Sequence, residues 1–322
     1  MPDKPKIAIC WLGACGGCDE AVVDLNAALL DVADAVSIVL WPVALDYKYD
    51  SVAALPDKSL ALAIISGHVR FSEHREIAHM LRKKAKLVLA YGACACFGGT
   101  PGLANMVTKK AIYDWVFHKA PTVVNPKGNI PQEKTEIDGE TITLPEMYEH
   151  VYALNQVIDV DYYLPGCPPP DNLTLNAVNA VLTGDLPPKG STLAPRRALC
   201  DTCPRAKKKP ERLEIGEFKR VHEKETDSDY CFLEEGILCL GAATRGGCGE
   251  SCIRINMPCR GCFGPVPGVD DGGTRFLSAL ASMLNSADGP SLQKLAASVP
   301  DPAGTIYRFT QPSSILGRKK LD

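Results

Sequence analysis

The chain has 322 residues, with 46% apolar and 23% charged side chains, values near the globular average that exclude disorder and collagen-like repeats. Its 35 Lys and Arg against 38 Asp and Glu leave a net charge of −3, which excludes a strongly basic nucleic-acid footprint. The longest apolar runs are strand-sized, well short of a membrane span, and residues 1–6 lead directly into an apolar run without a signal-peptide pattern, so a cytoplasmic protein with no membrane partner is expected.

In chain order, residues 6–12 form an apolar run of strand length. Residues 19–33 carry Val22, Leu25, Leu29 and Val32 at helical spacing. Strands are predicted over 36–43, 60–66 and 86–91, with Ser72 as the N-cap of a helix whose face holds Ile77, Met80 and Leu81. After an irregular stretch, residues 136–142 read as a hairpin turning at Asp138-Gly139. A short strand over 162–164 precedes a helix around 173–182. Such alternation predicts an α/β, doubly wound domain with a mainly parallel sheet. From 186 the character changes: residues 195–273 are rich in Gly, Pro, Cys and charge, and such a segment needs metal as well as a hydrophobic core to hold it. An amphipathic helix is predicted over 274–284, and the tail from 288 carries no clear pattern. The expected division is a first domain over 1–190 and a smaller, irregular one over 191–322.

Fourteen cysteines set the chain apart. In a reducing compartment so many thiols indicate metal before disulfides. Three C-x-x-C pairs occur, Cys15/Cys18, Cys200/Cys203 and Cys259/Cys262. Cys15 and Cys18 follow the first predicted strand, Cys94 and Cys96 the fourth, and Cys167 the fifth. Open α/β sheets gather ligands at these carboxyl ends, so three distant loops converge there. Four thiolates suit tetrahedral zinc or a cubane iron–sulfur cluster. The first loop has neither G-x-G-x-x-G nor G-K-[ST], which speaks against a nucleotide.

At these residues the sequence resembles the small, iron–sulfur subunit of [NiFe] hydrogenases, over roughly residues 6–273. The motif W-L-x-x-x-C-x-G-C-x-E stands as Trp11-Leu12-Gly-Ala-Cys15-Gly-Gly-Cys18-Asp-Glu20, with Cys15 one position earlier than in some relatives. G-x-C-A-x-x-G-G stands as Gly92-Ala-Cys94-Ala95-Cys96-Phe-Gly98-Gly99, and P-G-C-P-P as Pro165-Gly166-Cys167-Pro168-Pro169. The resemblance implies a flavodoxin-like domain followed by a cluster-binding domain, and three [4Fe-4S] clusters. It assigns Cys15, Cys18, Cys94 and Cys167 to a proximal cluster, with Cys96 in competition with Cys94. It assigns Cys248, Cys252, Cys259 and Cys262 to a medial cluster and Cys200, Cys203, Cys231 and Cys239 to a distal one. Cys10 is left as a buried thiol. Cys200 stands where many relatives have histidine, and Cys252 fills a corner that is often vacant. An all-thiolate relay implies low potentials. The implied function is to conduct electrons from H2 oxidation at a NiFe centre in a large partner subunit, with no catalytic residue on this chain. The acceptor implied is of the flavin, ferredoxin or heterodisulfide class, as in cytoplasmic viologen-reducing hydrogenases that do not use the deazaflavin coenzyme, with a small [2Fe-2S] relay subunit and heterodisulfide reductase as further partners. Gly17 and Gly99 stand where some oxygen-tolerant relatives have extra cysteines, so an ordinary oxygen-sensitive cluster is expected.

Other residues carry weaker signals. Glu20 fits either an interface or proton route or a helix first turn. Trp11 is expected near the proximal cluster or in the core. His68 and His74 read as surface or capping residues, and the run Arg205-Ala-Lys207-Lys208-Lys209 as a solvated loop more than a steering patch. Two other functions fit parts of the pattern: a cluster subunit of an NADH dehydrogenase relative, which leaves Cys200 through Cys262 unexplained, and a zinc-structured scaffold.

Overall fold

In a computed structural model, residues 4–227, 229–284, 288–299, 301–317 and 321 are described. The first half runs β1 (Lys6–Trp11), α1 (Gly17–Val23), α2 (Ala27–Ala35), β2 (Ser37–Leu40), α3 (Tyr49–Ala53), β3 (Leu60–Ser66), β4 (Val69–Phe71), α4 (Ser72–Lys84), β5 (Ala85–Tyr91) and α5 (Gly92–Phe97). It continues with α6 (Lys109–Asp114), an exposed hairpin of β6 (Lys134–Ile137) and β7 (Glu140–Thr143), then β8 (Met147–Tyr152), β9 (Tyr162–Leu164) and α7 (Asp171–Thr183).

Five strands make one parallel sheet in the order β2-β1-β3-β5-β9. Numbering only these strands along the chain gives 2-1-3-4-5, the flavodoxin-like doubly wound order. Both faces are covered, so the strands alternate between two apolar layers. Ile7, Ile9, Leu62, Ile64, Leu89 and Tyr91 pack to one side. Ala8, Cys10, Ala63, Ile65, Val88 and Ala90 pack to the other. Parallel sheets buried this way read as the continuous apolar runs seen in the sequence.

Several local expectations need correction. The helix expected over 19–33 is two helices, broken where Asp24 ends α1 and Asn26 takes a φ of 53°. The strand expected over 36–43 is only β2. Ser72 is the first residue of α4 and does not cap it; its hydroxyl accepts from Glu146 N–H (3.1 Å) and its N–H donates to Glu146 O (3.0 Å), tying the helix to the entry of β8. The Asp138-Gly139 turn does form, with both residues at positive φ.

Beyond α7 regular structure is sparse: α8 (Ser251–Arg254), α9 (Gly272–Met283), α10 (Gly289–Ala297) and α11 (Pro302–Ile306). A separate apolar cluster organises this part around Phe232, Leu240, Phe276 and Ile306, and it takes in Cys239 and Cys259. Asp271 caps α9 by accepting from Thr274 N–H (2.8 Å). The tail turns back to the sheet domain: Gly99 N–H donates to Phe309 O (3.1 Å), and the Gln156 amide donates to Pro312 O (3.0 Å).

Candidate metal centres

Cys15 and Cys18 stand on the turn from β1 into α1, Cys94 in the first turn after β5, and Cys167 just after β9. These are carboxyl ends beside the β1/β3 switch point, where the crevice of such a sheet opens. The loops are tied together, since Ala93 N–H donates to Gly166 O (2.6 Å). Two glycines make room for sulfur. Gly92 and Gly99 both have positive φ, and a Cβ on either would run into the sulfur of Cys18 or Cys94 respectively. The four thiols lie within electrostatic reach of one another. Burial first, then repulsion from Cys167 and Cys15, pushes Cys94 up to about 12. Burial, then Cys94 and Cys167, pushes Cys18 higher still. Cys15 and Cys167 are exposed, so this tetrad opens to the surface.

The second half holds two more tetrads. Cys248, Cys252, Cys259 and Cys262 line a cavity of about 420 Å³ together with Cys167 of the first tetrad. Cys262 thus faces the same cavity as Cys167. Cys200, Cys203, Cys231 and Cys239 form the other group: burial, then the neighbouring Cys239, Cys203 and Cys231, raises Cys200 to about 12. These two tetrads also touch, because the N–H of Cys259 donates to the Cys239 sulfur (3.3 Å). Among the described residues no three Cys, His, Asp or Glu side chains close on a single-ion site; the cysteine groups border one another where Cys167 and Cys262 line one cavity and where the Cys259 N–H meets the Cys239 sulfur.

The donor set fits iron–sulfur clusters. Each group supplies the four sulfurs that a cubane takes. Thiols raised by burial and mutual repulsion ionise only against strong local positive charge, which a metal cluster supplies. Backbone N–H groups already aim at several sulfurs: Arg205 and Ala206 at Cys203, Gly241 at Cys239, Gly261 at Cys259.

The two remaining cysteines lie elsewhere. Cys96 is fully buried under α5, and its thiol donates to Ala90 O (3.3 Å). Cys10 is buried in β1 beside the Tyr49 hydroxyl (3.8 Å), and burial pushes it up to about 12. Glu20 is exposed in the first turn of α1, close to the open tetrad.

Other expectations are corrected. Trp11 is 37% exposed, so it does not fill the core; its ring lies against Gly16 in the Cys15 loop. His68 is an interior residue whose backbone pairs with Gly13 in both directions (2.9 Å each), and burial pulls its imidazole down to about 4. His74 is half-buried and its Nδ1 accepts from Arg70 N–H (3.3 Å). Arg205 leaves the basic run altogether: it is 3% exposed, stacks on Phe232 at 3.9 Å, and donates to Asp227 O (2.6 Å) and Tyr230 O (2.8 Å).

Sequence reasoning missed Asp19. It is buried behind Cys18 and accepts from the Trp41 indole N–H (3.0 Å), and burial raises its carboxyl. Its signal was present, an acidic residue between a candidate ligand and Glu20 on the face of α1 that also carries Val22.

Residues 15–181 match the family described as NADH ubiquinone oxidoreductase, 20 Kd subunit. Over 317 residues the chain is 41% identical to the iron-sulfur subunit of the F420-non-reducing hydrogenase of Archaeoglobus profundus, covering 98% of each chain. It is 36% identical over 322 residues to a subunit of the F420-non-reducing hydrogenase of Methanothermobacter thermautotrophicus, covering 99% of this chain and 98% of that one. Among solved structures, a recombinant [NiFeSe] hydrogenase from Desulfovibrio vulgaris Hildenborough shares the fold, with a TM-score of 0.50 and 17% identity over 83% of this chain and 96% of the other.

Proposed function

Because this chain belongs to the family of iron–sulfur subunits of F420-non-reducing hydrogenases, small electron-transfer subunits of [NiFe] hydrogenases whose catalytic centre lies in another subunit, we propose that its three cysteine tetrads hold three [4Fe-4S] clusters in series. The proximal set is Cys15, Cys18, Cys94 and Cys167. The medial set is Cys248, Cys252, Cys259 and Cys262, and the distal set Cys200, Cys203, Cys231 and Cys239. The observation that carries the reading is that the cysteine groups adjoin end to end, Cys167 and Cys262 lining one cavity and the Cys259 N–H meeting the Cys239 sulfur. When bound, the clusters would supply one-electron carriers.

The chain's own residues position, shield and tune. Gly92 and Gly99 leave space for the proximal sulfurs. Phe263 is buried on the wall of the medial cavity and excludes water there. N–H groups directed at sulfur stabilise added negative charge and so raise a cluster's potential. The exposed Cys15 and Cys167, with Trp11 and Glu20 beside them, form the face that meets the large subunit and receives electrons. The distal tetrad delivers them to a low-potential chain, a small [2Fe-2S] relay subunit and heterodisulfide reductase in the cytoplasm. No helix among the described residues is long and apolar enough to cross a membrane. A cysteine at position 252 makes the medial cluster a four-iron one, and glycine at 17 and 99 leaves the proximal cluster ordinary and oxygen-sensitive.

Two other readings have less support. The match to the NADH ubiquinone oxidoreductase family ends at 181, before the second and third tetrads. A zinc scaffold accounts for neither the end-to-end arrangement nor the full-length hydrogenase relatives.

Anaerobically purified protein is expected to be brown, with about twelve irons and twelve labile sulfides per chain. Colourless protein with stoichiometric zinc overturns the proposal. Cys18→Ala in the assembled complex is expected to abolish hydrogen-dependent viologen reduction, measured spectrophotometrically. Full activity in that variant breaks the proximal step of the path.

A further inference from the structure

The chain between β5 and β8 carries a surface that the electron path does not use. Nine of the 21 large apolar side chains exposed among the described residues fall within 106–144. Trp115 is 58% exposed and Met106 51%. The hairpin of β6 and β7 shows how such a surface is built. Its register sets Thr135 opposite Ile142 and Ile137 opposite Glu140. Side chains alternate along a strand, so Thr135, Ile137, Glu140 and Ile142 share one face. Leu144 extends that face, its N–H donating to Glu133 O (3.0 Å). The other face is polar: Lys134 pairs with Glu136 (3.4 Å), which also accepts from the Thr141 hydroxyl (2.6 Å). All eight strand residues are exposed. A lone two-stranded hairpin is marginal in water, and clustered apolar surface of this kind marks an interaction site.

Both roots of this segment stand at the proximal tetrad. At one end, residues 100–106 follow Gly99, where an added Cβ would meet the Cys94 sulfur. At the other, β8 lies antiparallel to β4, with Tyr152 opposite Val69. The preceding residue, His68, pairs through its backbone with Gly13, two residues before Cys15. The segment thus springs from the carboxyl edge of the sheet, on the side of the exposed Cys15 and Cys167. The hairpin also has an acidic border: over 129–146, Glu133, Glu136, Asp138, Glu140 and Glu146 stand against Lys134 alone. We propose that the β6–β7 hairpin is a docking arm for the large hydrogenase subunit, its Ile137/Ile142/Leu144 face seated in an apolar groove of that subunit bordered by Lys or Arg. The inference rests on the reading that the proximal face meets the large subunit, and continuity with that face selects the occupant. Face-to-face pairing of two copies of this chain would instead set one acidic border against another. Seated in the groove, the arm holds the proximal tetrad against the large subunit and takes no part in electron transfer itself.

The test places a photo-cross-linking side chain at Ile142 in the complete complex, purified anaerobically, and identifies its adducts by mass spectrometry. An adduct with the large subunit is expected. An adduct with any other subunit, with a second copy of this chain, or with nothing overturns the proposal. In parallel, the double variant Ile137→Thr, Ile142→Thr keeps β-branched residues in the hairpin while removing most of its apolar face. With iron per chain at the parent level, the large subunit is expected to leave this variant about tenfold faster than it leaves the parent. Release at the parent rate overturns the proposal. Should the double variant load less iron, the cross-link alone decides. The same cross-linking side chain at Trp11 tells the two readings apart. Capture of the large subunit from Trp11 but not from Ile142 sinks the arm alone, whereas capture from neither sinks the proximal face as well.

Discussion

Cys94 and Cys96 are two residues apart on one short helix and have opposite surroundings. At about 100° per residue, positions i and i+2 point to different sides of a helix. Cys94 turns outward among three other thiols, while Cys96 turns inward under the sheet, where its thiol donates to Ala90 O. Cys94→Ala is therefore expected to lose the proximal cluster, about four irons per chain. Cys96→Ala is expected to keep its iron and to cost about 1 kcal/mol through a small cavity. Iron analysis with a denaturation midpoint for each variant checks the pair. In the sequence only the motif favoured Cys94 and left Cys96 in competition, because the choice depends on how α5 docks on β5. The same limit hid His68 and Asp19: their burial comes from contacts with Gly13 and Trp41 across the fold, which single-residue priors do not contain.

Elements show where periodicity suffices and where it fails. The sheet strands announced themselves as apolar runs because both faces of a parallel sheet are buried, and the Asp-Gly turn announced the hairpin. The break between α1 and α2 did not, since Val22, Leu25, Leu29 and Val32 keep helical spacing across it while Asn26 supplies the left-handed residue. The basic run at 205–209 misled for another reason. Charge suggests solvent, yet the first member, Arg205, bridges the loops at Asp227, Tyr230 and Asn256 and stacks on Phe232. Lys207, Lys208 and Lys209 are exposed as charge suggests. Arg205→Ala is expected to destabilise the protein by about 2–4 kcal/mol, because the part-buried carbonyls of Asp227 and Tyr230 lose their donor, Glu235 loses one of its two cations, and the stack on Phe232 is lost. Lys207→Gln is expected to change the stability by less than about 0.5 kcal/mol. Anaerobic urea denaturation of the two variants separates a staple from a solvated loop.

At the scale of the whole molecule the two halves owe their structure to different things. The sheet domain has apolar layers on both faces that hold Cys10 and Cys96, while Cys15, Cys18, Cys94 and Cys167 sit at the carboxyl ends of its strands. In the second half the cysteines belong to the core itself: Cys239 and Cys259 lie inside the apolar cluster, with Cys203, Cys231 and Cys248 packed against it. The change of composition near 186 signalled this dependence on metal, but the return of the tail onto Gly99 and Gln156 was invisible, because residues after 288 carry no pattern that names their partner. Removing iron then has a polarised outcome. Metal binding free energy is folding free energy where ligands form the core, so its loss falls on the second half. Local opening is expected there first, while the sheet, whose layers contain no cluster ligand in their fully buried set, stays closed. Limited proteolysis after anaerobic chelation is expected to cut within 195–273 and to leave a fragment spanning 6–186. The loaded protein resists cleavage at the same sites. Equal cleavage of both halves would show that the clusters hold the sheet domain as well.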